Sequence, residues 1–262
     1  MKNDLRVALV QMEIADGDPA RNVVQAEQMI GAHAGADLYL LPELWTTGYV
    51  HAEWPALARQ TPEVLQGLAR VAARRNAIIG GTLISETEGR DGGLANRFWV
   101  VGRHGVMGCY DKSHLFAPMG EPARLTPGES RSRVPLPPFT AALSICYDLR
   151  FPEMYRRDAV DGADLFLVPS EWPAERAGAM QALAVARAIE NQAYLALTNR
   201  VGVAADGTSF GGGSMIIAPD GEIVTSAGNQ AGVVVGTLEF DRIAVTRGQE
   251  AHFAGRRPGV DY

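Results

Sequence analysis

Thiols are scarce in this chain. Its 262 residues include two cysteines, Cys109 and Cys146. Two thiols build no disulfide framework, and their scarcity suits a reducing compartment, most simply the cytoplasm. Histidines 33, 51, 104, 114 and 252 show no metal-ligand spacing and, with two isolated cysteines, make no zinc set. Basic residues are the minority, 24 against 30 acidic, for a net charge of -6. That argues against a nucleic-acid partner, since phosphate binding needs a basic surface. No apolar run approaches the roughly 20 residues that span a bilayer. Met1-Lys-Asn-Asp4-Leu-Arg6 leads into only a short apolar stretch, so it does not read as a secretory signal, and there is no Asn-x-Ser/Thr sequon. Aromatic residues are only 7% of the chain. Gly and Ala abound instead, which suits closely packed layers of helix on sheet.

Hydrophobic residues make up 47% of the sequence, enough for a sizeable core. Arg6–Gln11 and Leu38–Leu41 read as strands. Between them a helix begins at Asp18-Pro19 and runs to Ala34, with Val23, Ala26 and Ile30 at helical spacing. Thr61-Pro62 reads as an N-cap followed by proline at the first helical position, and Val64, Leu65, Leu68, Ala69 and Ala72 form one face of that helix. Ala77–Ser85, Ala95–Val101 and Val106–Tyr110, joined by turns at Glu88–Gly93 and Arg103–Gly105, predict an antiparallel meander. Residues 117–138 hold six prolines and no period, so they read as one long loop, of a length that is usually functional or mobile. Further on, helices are expected at Pro152–Asp161, Ala177–Asn191 and Asp241–Gly248. Strands are expected at Leu165–Val168, Tyr194–Thr198, Gly213–Ala218, Ile223–Thr225 and Gly232–Glu239, before a basic tail from Glu250. Nothing marks an interior linker or a repeat. The expectation is one domain over 1–262, α/β, with mixed sheets covered by helices.

Three segments share one grammar, an apolar strand ending in a chemically useful side chain: Leu38-Tyr-Leu-Leu-Pro-Glu43, Met107-Gly-Cys-Tyr-Asp-Lys112 and Ala141-Ala-Leu-Ser-Ile-Cys146. Sites in open α/β sheets collect beyond the carboxyl ends of strands, so the three residues could converge. A thiol with a pKa of about 8.5 needs a base or a nearby cation at neutral pH. Glu43 could take its proton, and Lys112 could stabilise the thiolate and later an oxyanion. Each residue also has a plain reading: Cys146 as a small buried hydrophobe, Glu43 as a surface or helix-starting acid, Lys112 as a solvated turn residue.

Leu41-Pro-Glu43-Leu-Trp-Thr-Thr-Gly48-Tyr49, Tyr110-Asp-Lys112-Ser-His114-Leu-Phe116 and Cys146-Tyr-Asp-Leu-Arg-Phe-Pro-Glu153 resemble, in order, the three signature segments of the nitrilase superfamily of carbon–nitrogen hydrolases. Ala186–Gln192, Asn199–Gly202 and Gly212–Glu222 extend the similarity over nearly the whole chain. The resemblance implies a four-layer α-β-β-α sandwich of two mixed sheets. It implies Glu43 as general base, Lys112 as oxyanion donor and Cys146 as nucleophile, with Glu121 positioning the substrate amide or the hydrolytic water. The backbone N–H of Tyr147 would be the second oxyanion donor. No metal or organic cofactor is implied, and the partners are a small-molecule amide and a second copy in a homodimer or larger homo-oligomer.

Trp172, Tyr49 and Phe116 are candidate pocket walls, with Trp45 either wall or core. Arg150 either binds a substrate carboxylate or forms a salt bridge with Asp148, Glu153 or Glu190. His114 either pairs with Cys146 or braces the loop of Lys112, and Cys109 reads as core. Gly207-Thr-Ser209-Phe-Gly211 fits the G-x-S-x-G pattern but lacks the strand-to-helix context that a serine nucleophile needs. Gly211-Gly-Gly213 lacks the Lys-Ser/Thr of a phosphate loop. Ala179-Met180 precede Gln181-Ala-Leu183, where small bacterial amidases similar to ω-amidase often carry His-Trp. The expected activity is therefore hydrolysis of small aliphatic amides. ω-Amidase, N-carbamoyl amidase and nitrilase are the alternatives within the family, and a catalytically silent partner-binding protein is the alternative outside it.

Overall fold

The computed structural model describes residues 3–87, 93–249 and 255–257. In chain order it contains β1 (Asp4–Gln11), α1 (Pro19–Ala32), β2 (Leu38–Leu40), α2 (Trp54–Ala58), α3 (Thr61–Arg75), β3 (Ile78–Glu86), β4 (Leu94–Gly102) and β5 (Gly105–Asp111). Then come β6 (Arg133–Leu136), β7 (Phe139–Leu143), α4 (Pro152–Val160), β8 (Leu165–Ser170), α5 (Ala177–Asn191) and β9 (Tyr194–Asn199). The chain closes with β10 (Val201–Val203), β11 (Ser209–Gly211), β12 (Met215–Ile217), β13 (Ile223–Ser226), β14 (Gly232–Glu239) and α6 (Phe240–Gln249).

Two six-stranded sheets form, ordered β14-β1-β2-β3-β4-β5 and β13-β12-β9-β8-β7-β6. Each is parallel at its centre and antiparallel toward its edges. The strand period of two makes the layers. In β1, Val7 and Leu9 enter the core between the sheets, while Ala8 and Val10 face the opposite core with Ala26 and Ile30 of α1 and Leu68, Val71 and Ala72 of α3. The second sheet is buried on both faces, so β8 is apolar almost throughout. Met154, Tyr155 and Ala159 of α4 and Met180, Ala184 and Ala188 of α5 cover its outer side. The result is the four-layer α-β-β-α sandwich with two mixed sheets.

Several local expectations need correction. The 117–138 segment is not wholly loop: it holds single-turn 3-10 helices at Ala117–Met119 and Glu121–Ala123, then β6. Proline disguised β6, but Pro135 is tolerated because β6 is an edge strand. Thr61 is the first residue of α3 and not its cap; its hydroxyl donates to the Ile84 carbonyl at 2.6 Å and pins the helix to β3. Cys109 is exposed because β5 is the other sheet's edge. The turn expected at Glu88–Gly93 and the tail from Glu250 lie largely outside the described residues. No helix of the described residues is long and apolar enough to cross a membrane.

Candidate active site

Chain direction brings the chemistry to one end. Glu43 lies just beyond β2, Cys146 beyond β7, and Glu171 directly follows β8. Lys112 directly follows β5 of the first sheet. Two turns hold residues in the left-handed region that side chains seldom adopt: Leu44 at φ 38° and Cys146 at φ 43°. At Leu44 the backbone N–H donates to Thr82 Oγ1 at 2.7 Å, which fixes the turn that carries Glu43. At Cys146 a five-residue 3-10 helix begins, Cys146–Arg150. The early N–H groups of such a turn, that of Tyr147 among them, have no acceptor inside it.

Lys112, Glu43 and Glu121 form one wholly buried cluster, each at 0% exposure. Lys112 Nζ donates to Glu43 Oε1 at 2.7 Å and to Glu121 Oε1 at 2.8 Å. Glu43 Oε1 also accepts from Asn96 Nδ2 at 2.8 Å, and Glu43 Oε2 accepts from the backbone N–H of Glu171 at 3.0 Å. The Tyr49 hydroxyl lies 2.8 Å from Glu121 Oε1 and 3.2 Å from Glu43 Oε1. Burial lowers the pKa of the Lys112 ammonium, but the fields of Glu43 and Glu121 outweigh that and hold it above the ordinary lysine range. Burial first, and then the Glu43 carboxylate, push the Cys146 thiol well up against the opposing pull of Lys112. Glu43 and Lys112 both act on that thiol. At rest the sulfur is therefore protonated.

Asp148 ties the Cys146 turn to the strand that ends in Lys112. Its Oδ2 accepts from Tyr110 Oη and from the Ile145 N–H, both at 2.9 Å. Its Oδ1 accepts from the His114 backbone at 3.0 Å and lies 2.7 Å from His114 Nδ1. His114 thus braces the loop after Lys112, and its ring stacks on Phe151 at 3.6 Å.

Around the sulfur is a narrow cavity of about 10 Å³, room for about one water. Tyr49, Phe116, Tyr147, Trp172 and Arg150 all line it. Glu171 and Arg176 line it too and were not anticipated. Trp45 does not; it packs with α1 and α3 in the outer core. Arg150 is exposed and forms no ion pair among the described residues. Its guanidinium stands 4.9 Å from the Trp172 ring centroid and 6.0 Å from that of Tyr147. Phe116 and Arg176 also border a neighbouring space of about 360 Å³ that opens outward.

Sequence reasoning missed Asn96, Asp148 as a hub, and Glu171. Asn96 left a signal, since a polar amide interrupts the apolar strand Leu94–Gly102. Ser209, of the discounted G-x-S-x-G pattern, sits on β11, which pairs with β10 and opens no helix. Among the described residues no group of three His, Cys, Asp or Glu could hold a metal ion.

This fold, with a thiol set against a buried carboxylate–ammonium pair, defines a class of hydrolase that acts on carbon–nitrogen bonds. The profile of the carbon–nitrogen hydrolase family matches residues 6–248, and the chain belongs to that family. It is 31% identical over 245 residues to the 2-oxoglutaramate amidase of Bacillus subtilis, covering 92% of this chain and 93% of that one. A CN-hydrolase superfamily protein from Xanthomonas campestris, with an arsenic adduct in its active site, superposes with a TM-score of 0.92 at 31% identity over 100% of both chains. An amidase variant from Nesterenkonia sp. AN1, with acrylamide added at its active-site cysteine, superposes with a TM-score of 0.82 at 28% identity, covering 96% of this chain and 100% of that one. The chain is thus a carbon–nitrogen hydrolase of the amidase kind, acting on non-peptide bonds.

Proposed function

We propose that this enzyme hydrolyses small amides to a carboxylic acid and ammonia through a thioester on Cys146. The observation that carries the reading is the Lys112 ammonium, held between Glu43 and Glu121 out of solvent beside a protonated thiol. Cys146 Sγ attacks the amide carbonyl as its proton passes to Glu43. An ammonium has three N–H donors; two go to the carboxylates, and the third meets the oxyanion together with the Tyr147 N–H. Collapse breaks the C–N bond, Glu43 protonates the leaving nitrogen, and ammonia departs. Water aligned by Glu121 gives its proton to Glu43 and attacks the thioester. The C–S bond then breaks and Glu43 returns the proton to sulfur.

Arg150 favours a second, narrower reading within the first. Its guanidinium has no carboxylate partner among the described residues and stands at the cavity wall. It would receive the distal carboxylate of an ω-amide, and the relative named for 2-oxoglutaramate fits that preference. Assembly as a homodimer and a cytoplasmic location belong to the same proposal.

Ammonia release from a panel of aliphatic amides, ω-amides, ureido acids and nitriles tests the function. Amides, with ω-amides first among them, are the expected substrates. Cys146→Ala is expected to abolish turnover while leaving the fold intact. Near-normal turnover by that variant would defeat the mechanism. No release from any compound, with Cys146 inert to iodoacetamide, would favour a silent partner-binding role.

A further inference from the structure

The peptide that touches Glu43 is anchored from outside the buried cluster. Ser170 ends β8, and the ladder with β9 stops at the pair Ser170–Asn199. Glu171 and Trp172 continue past it outside any strand, yet both are buried. Buried backbone N–H and C=O groups need partners. At Trp172 the side-chain amide of Asn199 supplies both. Its Oδ1 accepts from the Trp172 N–H at 2.8 Å, and its Nδ2 donates to the Trp172 carbonyl at 3.1 Å. A carboxamide carries the donor and acceptor of a peptide group, so Asn199 extends the ladder by one rung. The Glu171 N–H goes instead to Glu43 Oε2 at 3.0 Å, and the Ser170 carbonyl accepts from the Glu43 N–H at 3.4 Å. Asn199 is itself fixed. Its Nδ2 also donates to the Gly212 carbonyl at 2.8 Å, and its backbone N–H donates to Ser214 Oγ at 2.9 Å. Ser214 donates through N and Oγ to Gln11 Oε1, at 3.0 and 2.8 Å. Gly212 stands at φ 67°, and a methyl there would lie 2.4 Å from Gln11 Nε2. The glycine run discounted as a phosphate loop thus makes room for this network.

We propose that Asn199 is a positioning residue for the proposed base: by holding both polar groups of the Trp172 backbone, it aims the Glu171 N–H at Glu43 Oε2. This deepens the amidase reading and rests on it for the role of Glu43. Asn199 does not line the cavity, so it acts through the peptide it holds. Glu43 Oε1 takes the side-chain donors Lys112 and Asn96, whereas Oε2 takes the Glu171 N–H. No substitution removes a backbone N–H, but its aim depends on how the next residue is anchored. A carboxylate that loses a donor is more easily protonated, and a displaced base works more slowly. The same peptide bears on the sulfur: burial and Glu43 raise the Cys146 thiol, while the Glu171 backbone and Lys112 act in the opposite direction. Lys112, Tyr49, Cys146 and Glu171 are the titratable groups that face Glu43, with Glu121 across Lys112. A change at Asn199 leaves all of them in place.

The test sets Asn199→Leu, which keeps the side chain's size but removes its donor and acceptor, against a matched control. Asn22 is equally buried and makes the same kind of clamp elsewhere, with the Ala15 N–H, the Ala15 carbonyl and the Thr46 carbonyl, each at 2.8 Å. Asn199→Leu and Asn22→Leu should both lower the melting midpoint. Only Asn199→Leu is expected to reduce kcat for ammonia release, by about tenfold or more, within the hundredfold that a misplaced group can cost. Only Asn199→Leu is expected to move the acidic limb of kcat/KM, which reports the free enzyme's base, upward by about 0.5 pH unit or more. Alkylation of Cys146 by iodoacetamide needs no amide, and it should slow about tenfold in Asn199→Leu and hold its rate in Asn22→Leu. Asn199→Ala removes the same groups without adding apolar bulk, and it decides if the leucine variant does not fold. Normal kcat with an unmoved limb in a folded Asn199 variant, or the same shift in Asn22→Leu, would overturn the positioning role alone. Wild-type silence on every amide would overturn the amidase reading, and the alkylation rates would then decide the anchoring of the 171 peptide by themselves.

Discussion

Lys112→Met removes the charge that joins the two buried carboxylates while nearly preserving side-chain length. In the wild-type protein Nζ contributes bonds of 2.7 and 2.8 Å to Glu43 and Glu121, with no exposure at either end. Without it, the Asn96 amide, the Tyr49 hydroxyl and the N–H groups of Glu171 and Phe116 remain. None of them carries a positive charge. Removing one partner of a buried ion pair costs about 3–5 kcal/mol. For a chain of this size that lowers the melting midpoint by roughly 6–20 °C. Two like charges in one dry pocket also push one carboxyl pKa upward. A carboxyl whose pKa is raised in the fold stabilises fully below its unfolded pKa, and that contribution is lost as pH rises through the folded value. The variant should therefore lie much nearer the wild type in urea unfolding at pH 5 than at pH 8. Its turnover should fall by about 10²–10³ with the loss of one oxyanion donor. A stability loss under about 1 kcal/mol at pH 8, or an equal loss at both pH values, would refute this reading of the cluster.

Three further outcomes are expected. Asp148→Asn keeps the side chain's shape but weakens the hub between Tyr110, Ile145 and His114; kcat should fall at least tenfold with little change in KM, measured by ammonia release. Gly128→Ala would put a methyl 2.1 Å from the Asp111 carbonyl oxygen, on the segment whose N–H holds the Lys112 carbonyl at 2.9 Å. The loop must move, so activity should drop and the melting midpoint should fall by several degrees in differential scanning fluorimetry. The raised Glu171 carboxyl, ordinarily near 4.5 and here about 8, makes the fold lose stability between those two values as pH rises. Urea unfolding should show wild type losing on the order of 3 kcal/mol relative to Glu171→Gln between pH 5 and 8.5.

The layers were legible wherever burial imposes a period. β1 alternates between two cores, and the faces of α1 and α3 carry residues predicted from 3.6-residue spacing. Glu43, Lys112 and Cys146 were legible because each ends an apolar strand and sits in a recognisable signature. β6 was hidden because an edge strand tolerates the Pro135 that would exclude a central one. The exposure of Cys109 was hidden because strand spacing does not reveal which strand is an edge. Glu171 was unreadable for a deeper reason. Its burial depends on Arg200, which meets it only because β8 and β9 are parallel neighbours with Ser170 opposite Asn199. The following residues then share one end of the sheet, and register of that kind is a property of the pairing, absent from either segment alone.

In the proposed mechanism that end of the sheets also explains how a cysteine would work without histidine. The resting cluster holds Glu43, Glu121, the Lys112 ammonium and a neutral thiol, so it carries one net negative charge. In the proposed cycle the proton moves from sulfur to Glu43 while negative charge moves to the oxyanion beside Lys112. The net charge of the buried group is unchanged at that step and again when Glu43 gives its proton to the leaving nitrogen. Changing the total charge of a dry site would meet the full desolvation penalty; relocating a charge within it does not. In that cycle fixed donors at Lys112 and the Tyr147 N–H would need little reorganisation as the charge moves. A histidine base would become a second cation beside Lys112, whereas a glutamate becomes neutral. In that scheme the carboxylate is therefore the base that suits a site whose proposed oxyanion donor is a buried ammonium.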